Sequence, residues 1–176
     1  MAYTIYTRGV VSKFPEKGDF ELGFWCYYLR TINHTELKCE VVNGKTTTPR
    51  MQLKAVIEAL KACKDIGPQN TVKVYTTDQQ YFDNCFNDKA SRRKNKDLWE
   101  EIDNLQIDKQ LMMFPADKDN SIEESRGMII LKSALKDTQE YDSTWQVSKS
   151  QPNMVWKNIL VCKFICERYC QLFCAK

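Results

Sequence analysis

The sequence lacks several features that would place it in a special class of protein. No stretch approaches the ~20 uninterrupted apolar residues that a membrane span requires, and the first residues do not form the apolar run of a signal peptide. We therefore expect an intracellular protein, cytoplasmic or nuclear, with no membrane partner. Glycine (6 residues) and proline (5 residues) are scarce, which excludes collagenous and low-complexity chains. The net charge of +3 is too small to indicate a nucleic-acid partner, so any basic signal must be local.

The eight cysteines lack the spacing of a zinc site or of a disulfide scaffold. The four in the first half of the chain stand singly in apolar or amphipathic segments. Since a free cysteine behaves as a small hydrophobic residue, we expect these four to be reduced thiols of the core. They are Cys26, Cys39, Cys63 and Cys85.

What the sequence does contain is the pattern of one mixed α/β domain. Its 176 residues, 43% of them hydrophobic, suffice for one hydrophobic core. Aromatic and β-branched residues predict three successive strands in an antiparallel meander, at 3–10, 20–30 and 35–43. Apolar residues at helical spacing follow from Thr48 until Gly67 and Pro68 end the helix. A strand over 71–77, so soon after this helix, predicts a crossover that makes it parallel to an earlier strand.

The rest of the chain continues with similar elements and then changes character. The patterns predict a short helix at 78–86, a helix around 98–105, a strand at 110–114 and a helix at 123–135. Residues 137–152 are mostly polar, which predicts a linker. The linker would separate a domain of residues 1–136 from a C-terminal, cysteine-rich amphipathic helix of residues 153–176.

Four short segments resemble motifs of one family, in the same order and at compatible spacing. In this sequence they read IYTRG (5–9), TTPRMQL (47–53), YTTDQQY (75–81) and KNKDLW (94–99). They resemble I-Y-T-D-G, T-N-N-R-M-E-L, a segment ending T-D-S-Q-Y, and K-N-x-D-L-W of the type 1 ribonuclease H family. The resemblance implies a ribonuclease H-like α/β fold, a five-stranded mixed sheet flanked by helices, here with an extra C-terminal helix.

The resemblance also implies a chemistry. Family members cut the RNA strand of RNA–DNA hybrids with two divalent metals held by four carboxylates, because Mg²⁺ prefers oxygen ligands. Here Arg8 and Gln52 stand at two of the matched positions, Met128 or Gly127 stands at the last, and Asp78 alone is acidic. Residues 115–120 offer no counterpart of the family's loop histidine. We therefore expect a degenerate member that is not an enzyme and holds no metal and no cofactor.

Three interpretations of this altered site remain open. In the first, the guanidinium of Arg8 fills the place of the metal and pairs with Asp78. In the second, Arg8 binds a nucleic-acid phosphate. In the third, Glu123 or Glu124 joins Asp78 in a relocated metal site, which would make the chain an atypical metal-dependent ribonuclease H.

Residues 89–96 (KASRRKNK) carry five positive charges and no acid. The matching segment of the family contacts the DNA strand, so the resemblance implies a nucleic-acid interface; a solvated loop is the alternative. Thr48 and Pro49 replace the paired asparagines with which the family reads the minor groove, and proline has no N–H to offer there. The candidate contacts are Thr47, which could instead cap the helix, together with Arg92, Arg93, Lys94 and Lys96.

The predicted C-terminal helix carries four cysteines at intervals of four residues, which places them in one row. The row is too long for all four thiolates to bind one zinc ion, so we expect buried inert thiols, with an intermolecular disulfide or lipidation as the alternatives. The helix is apolar over more than half of its circumference, so it either packs on the domain or forms an interface with another chain. The interface candidates are Trp156, Cys162, Cys166, Cys170 and Cys174. Together with the altered site, they predict a binding module for protein–protein interaction or self-association. Nucleic-acid binding without cleavage is the alternative function.

Overall fold

The computed structural model describes residues 3–14, 20–63, 71–76, 88–89, 92–106, 110–115, 129 and 132–136. Five strands and two longer helices lie within these residues. In chain order they are β1 (Tyr3–Phe14), β2 (Phe20–Arg30), β3 (Thr35–Asn43), α1 (Thr48–Ala62), β4 (Thr71–Thr76), α2 (Lys96–Gln106) and β5 (Gln110–Pro115). Residues 132–136 are also helical.

The strands form one mixed sheet in the order β3-β2-β1-β4-β5. Strand β2 runs antiparallel to both β1 and β3, whereas β4 runs parallel to both β1 and β5. Short connections suffice for the antiparallel meander, while a parallel neighbour requires a crossover, which α1 supplies between β3 and β4. The predicted fold class, α/β with a five-stranded mixed sheet, is thereby confirmed.

One face of the sheet is covered by α1 and α2. The hydrophobic cluster between these layers includes Ile5 and Trp25 of the sheet, Ile57 of α1, and Trp99 and Ile102 of α2. All five side chains are at most 1% exposed. Burial of this apolar surface is the main force that holds α1 and α2 on the sheet.

The other face carries a second cluster, to which the helical residues 132–136 contribute Ala134 and Leu135. Its centre is a row of stacked rings across four strands. Successive ring centroids are 5.2, 5.1 and 5.9 Å apart, within the range of favourable aromatic pairs. The rings, from β5 to β2, are those of Phe114, Tyr75, Tyr6 and Tyr28.

Gly9 allows β1 and α1 to approach closely. A Cβ atom at this position would lie 2.3 Å from the backbone nitrogen of Gln52 and 2.3 Å from the carbonyl carbon of Met51. No side chain fits in that space. Consequently Arg8 and Gln52, 44 positions apart in sequence, belong to neighbouring stretches of backbone.

The structure corrects the expectation that the cysteines of the first half are all reduced. Cys26 and Cys39 lie directly opposite each other on β2 and β3, and their sulfur atoms are bonded. The sequence could not show this pairing, because it depends on the register of two strands. Cys63 is buried and takes part in no disulfide, as expected, and Cys85 lies outside the described residues.

Several predicted features also fall outside the described residues. They are the short helix at 78–86, the linker at 137–152, and the C-terminal helix with Trp156, Cys162, Cys166, Cys170 and Cys174. The domain division and the C-terminal protein interface therefore stay predictions. Within the part of the chain that is described, no helix has the length and apolar character needed to span a membrane.

Candidate nucleic-acid interface

The start of α1 forms one side of the candidate interface. Thr47 is the N-cap: its backbone is extended, and its side-chain oxygen accepts a hydrogen bond from the backbone N–H of Arg50 at 3.4 Å. Pro49 fits the first turn, where a backbone N–H has no helical acceptor. Thr47 is exposed and therefore combines a capping role with access to a ligand.

Arg50 links the start of α1 to the start of α2. Its Nη1 donates to Asp97 Oδ1 at 3.1 Å and to Asn95 Oδ1 at 3.4 Å, and its Nη2 donates to Asp97 Oδ2 at 2.5 Å. This two-pronged hydrogen bonding lowers the pKa of Asp97 and raises that of Arg50. Asp97 also lies in the first turn of α2, where a negative charge is favourable.

Asn95 shapes the turn that precedes α2. Its φ of 56° lies in the left-handed region, which asparagine tolerates better than most residues. Its carbonyl oxygen accepts hydrogen bonds from the backbone N–H groups of Leu98 and Trp99, both at 3.1 Å. The turn is thus fixed by its own helix and by Arg50.

Three of the predicted basic residues are exposed on or beside this turn: Arg93, Lys94 and Lys96. None of them forms an ion pair with a residue in the described ranges. Arg50 bonds through its backbone to Thr47 and through its side chain to Asn95, which lies between Lys94 and Lys96 in the sequence. The structure thereby links the start of α1 to the turn that carries these cations. We call Thr47, Arg93, Lys94 and Lys96 the basic rim.

Arg92 has a different environment from the other basic candidates. Its side chain is 8% exposed, donates to Asp103 Oδ2 at 2.7 Å, and lies over the Trp99 ring at 4.7 Å from the centroid. Lys89 binds the same carboxylate oxygen at 3.0 Å. Burial opposes ionisation of Asp103, but hydrogen bonds from Arg92 and Lys89 outweigh it and lower the pKa. Arg92 therefore anchors the basic segment to α2 and does not belong to the basic rim.

A second set of ion pairs joins α1 and α2 at the far end of α1. Lys61 lies 2.9 Å from Glu58 of its own helix and 2.8 Å from Glu101 of α2. Partial burial disfavours the charged form of Glu58, yet hydrogen bonding to Lys61 leaves its pKa lowered. With Arg50 and Asp97 at the other end, these contacts fix the position of α2 along α1.

Two of the four positions that match catalytic carboxylates of the family, Arg8 and Gln52, belong to the stretches of β1 and α1 that approach each other at Gly9. Arg8 is half-buried on β1, opposite Cys26, and Gln52 is buried on α1. Asp78 and Met128 lie outside the described residues. The predicted pairing of Arg8 with Asp78 stays a prediction.

The described residues do not fit a two-metal centre. No three His, Cys, Asp or Glu side chains in this part of the chain are grouped so that they could hold a metal ion. A guanidinium cannot ligate a cation, and the amide of Gln52 offers only a neutral oxygen. The acids named in the third interpretation, Asp78, Glu123 and Glu124, all lie outside the described ranges.

Comparison with known proteins gives the family. The family model described as RNase H matches residues 1–124. The chain is 36% identical over 118 residues to a Ribonuclease H of Caldicellulosiruptor saccharolyticus, covering 62% of this chain and 72% of that protein. It is 34% identical over 131 residues to a Ribonuclease H of Treponema denticola, covering 60% and 78%. The chain belongs to the ribonuclease H family.

Solved structures agree on the fold. The crystal structure of LC11-RNase H1 in complex with RNA/DNA hybrid superposes with a TM-score of 0.53 at 13% identity. The match covers 78% of this chain and 99% of that one. At this identity the likeness concerns the fold alone.

The comparisons contradict the expectation that the chain is not an enzyme. Both relatives carry the name Ribonuclease H, and nothing in the described residues shows inactivity. The expectation gave the residue types at Arg8 and Gln52 more weight than the similarity of the whole domain. The expectation, drawn from those two positions, that the chain is not an enzyme was therefore wrong.

Sequence reasoning missed the residues that hold the candidate interface together. Arg50 and Asp97 both lie inside the motifs that carry the family resemblance, at 47–53 and 94–99. Their opposite charges gave a signal, but their pairing depends on how α1 and α2 are packed. Asn95 gave no signal beyond its place before the helix.

Proposed function

We propose that this chain binds RNA–DNA hybrids through the basic rim. The observation that carries this proposal is the bonding of Arg50 to Asn95 and Asp97, which joins the start of α1 to the basic turn. In a domain of the ribonuclease H family, this surface has the charge and the hydroxyl group that a nucleic-acid duplex requires.

The charge of the basic rim is available to phosphates. Arg93, Lys94 and Lys96 are exposed and form no ion pair with a described acid, so contact with a phosphate would break no salt bridge among the described residues. The nearby acid, Asp97, is already bonded to Arg50. Lysine and arginine side chains that neutralise phosphates supply most of the salt-dependent affinity for nucleic acids.

Thr47 supplies a hydroxyl beside the cations. Its oxygen accepts the capping hydrogen bond, which leaves the hydroxyl hydrogen able to donate to a phosphate oxygen or to a 2′-hydroxyl. The 2′-hydroxyl is the group that distinguishes RNA from DNA. Thr47 is therefore the residue of the basic rim that could recognise the RNA strand.

Fluorescence anisotropy with a labelled hybrid tests the proposal. We expect the double variant R93A/K94A to bind more weakly and to show a smaller dependence of log K on log salt, by about 1 for each phosphate that is no longer neutralised. The matched control is K132A/K136A, which removes two exposed lysines from helical residues packed on the other face of the sheet. Equal losses of affinity in both variants, or no binding by the wild type at low salt, would refute the proposal.

Hydrolysis of the RNA strand is a second candidate function, supported by the names of the two relatives. Asp78 is the one acid of this sequence at a matched catalytic position, and Glu123 and Glu124 are the acids suggested to join it. On this proposal the wild type cleaves a labelled hybrid with Mg²⁺ or Mn²⁺, and D78N does not, whereas D88N cleaves normally. A wild type that binds hybrid without cleaving it would reject hydrolysis and leave the binding proposal intact.

A further inference from the structure

A covalent bond joins the middle of the edge strand to the rest of the sheet. Cys39 is the fifth of the 9 residues of β3, and Cys26 is the seventh of the 11 residues of β2. The two residues are partners in the strand register, and their sulfur atoms are bonded. The order of the sheet places β3 at its edge and β2 in its interior.

The bond is closed to solvent while β3 is in place. Cys26 is 0% exposed and Cys39 is 1% exposed, among apolar side chains that include Phe24, Leu37 and Val41. A thiolate can therefore reach the sulfur atoms only when β3 frays on either side of the bond, which itself keeps Cys39 next to Cys26. Local opening of an edge strand is a low-energy motion compared with global unfolding, because it breaks one ladder of hydrogen bonds.

The two bonded sulfur atoms differ in what lies beside them in the sheet. Cys39 belongs to the edge strand, whereas Cys26 belongs to β2, which is paired on its other side with β1. On the β1 side, the register partner of Cys26 is Arg8, and side chains directly opposite each other in an antiparallel pair are neighbours. A nearby guanidinium stabilises a thiolate, and the more stable thiolate is the better leaving group.

We propose that Cys26 and Cys39 form a reversible thiol–disulfide site that fastens edge strand β3 and exchanges with small thiols and disulfides of the glutathione type. In reduction, a glutathione thiolate attacks the sulfur of Cys39, the bond between the cysteines breaks, and Cys26 leaves as a thiolate beside Arg8. A second glutathione thiolate then attacks the glutathione sulfur of the mixed disulfide and releases Cys39. The products are one oxidised glutathione and two cysteine thiols, which carry the two protons of the glutathione thiols.

Peptide mapping by mass spectrometry tests for the bond. Trypsin can cut after Lys17, Arg30, Lys38 and Lys45, so the two cysteines fall in peptides 18–30 and 39–45. We expect these peptides to be joined in wild-type protein treated with oxidised glutathione and separate after treatment with reduced glutathione. Absence of the joined peptide after oxidation would overturn the proposal.

Single variants test the order of attack. In C26S the remaining thiol, Cys39, should form a mixed disulfide with oxidised glutathione faster than the remaining thiol, Cys26, does in C39S. Peptide mapping identifies which cysteine carries the glutathione, so modification of Cys39 or Cys26 is distinguished from modification of the other cysteines. Equal rates, or faster modification of Cys26, would overturn the assignment of Cys39 as the exchanging sulfur.

Hydrogen exchange tests the fastening of the strand without any variant. Reduction should speed exchange of the β3 amides on the order of tenfold or more, because the cross-link no longer restrains opening. The amides of α1, which carries no cysteine, should change less and serve as the internal control. Unchanged exchange in β3 would show that the bond does not fasten the strand.

Discussion

Arg92 and Arg93 are neighbours in the sequence, yet their side chains have different surroundings. Arg92 is buried between Asp103 and the Trp99 ring, whereas Arg93 is exposed. The sequence shows two equivalent cations in one basic run. Only the position of the segment against α2 separates an anchoring residue from one available to a ligand.

We expect R92A to lower the free energy of unfolding by about 1–2 kcal/mol, because it removes a charge-assisted hydrogen bond and a cation–π contact. R93A, the matched control, should change it by less than about 0.5 kcal/mol. Urea denaturation of both variants measures the difference. Equal destabilisation would contradict the anchoring role of Arg92.

Gly9 offers a second prediction for a single residue. G9A should destabilise the protein by about 1–3 kcal/mol or more, since the added Cβ would overlap the backbone of α1. G44A is a useful comparison, because a Cβ added at Gly44 would meet no atom within 4 Å, while the φ of Gly44 is +106°. Its cost, about 1 kcal/mol, would come from backbone conformation alone. Thermal or urea unfolding that ranks G44A as the more damaging would contradict the close approach at Gly9.

Helices α1 and α2 are held together by ion pairs at two places and by apolar packing between them. Arg50 and Asp97 join their starts, and Lys61 bridges Glu58 and Glu101 further along. Exposed ion pairs contribute little to stability, so the apolar cluster supplies most of the attraction. The ion pairs set the relative position of the helices, and with it the position of the basic rim.

The pair of Arg50 and Asp97 predicts a dependence of stability on pH. Hydrogen bonding to Arg50 lowers the pKa of Asp97 in the folded protein below its usual value of 3.8. The pair's contribution to the free energy of unfolding is therefore present above about pH 4, the pKa of an unfolded aspartate, and is lost as the pH falls through the folded pKa of Asp97. Because the pair is exposed, we expect this contribution to be no more than about 1 kcal/mol.

Urea midpoints at pH 7 and pH 3 measure this effect. D97N should be less stable than the wild type at pH 7 and should lose less stability between the two pH values. E100Q alters an exposed acid of the same helix that pairs with no cation in the described residues, and it should follow the wild type. If the urea midpoints of D97N and the wild type fall by the same amount between pH 7 and pH 3, the pair of Arg50 and Asp97 does not stabilise the fold.

The positions of the strands and helices were easier to predict from the sequence than the contacts between them. The strand predictions at 35–43 and 110–114 agree with β3 and β5 to within a residue, because apolar periodicity reflects burial directly. The cap at Thr47 was an open alternative that the structure confirms. The pairing of Arg50 with Asp97, across 47 positions, was not predictable, because no local pattern reports a contact between two helices.

The whole molecule depends on two apolar clusters, one on each face of a single sheet. The larger cluster joins α1 and α2 to the sheet, so burial of apolar side chains along both helices holds them against it. The proposed thiol–disulfide site lies in the other cluster, on the opposite face. Helix α1 contributes both to the larger apolar cluster and, through its N-cap Thr47, to the proposed nucleic-acid interface. A change that loosens α1 should therefore affect both stability and binding.

Two isoleucines test this dependence with the same chemical change. I57A should lower the free energy of unfolding by about 2–5 kcal/mol, because Ile57 is 1% exposed in the cluster beneath α1. I32A, at a turn residue that is 83% exposed, should change it by less than about 0.5 kcal/mol. Hybrid binding by folded I32A should equal that of the wild type. A small effect of I57A would show that α1 is not held by this cluster.

The family, the fold class and the identity of the cations follow from the order of the amino acids alone, because short motifs and apolar periodicity are local properties of the chain. Three features depend instead on the folded arrangement: which cations are anchored and which are exposed, which cysteines are bonded, and how Thr47 comes to lie near the basic turn. Each of these rests on contacts between elements far apart in sequence. Such contacts arise when both faces of the sheet are packed at once, and no single segment encodes them.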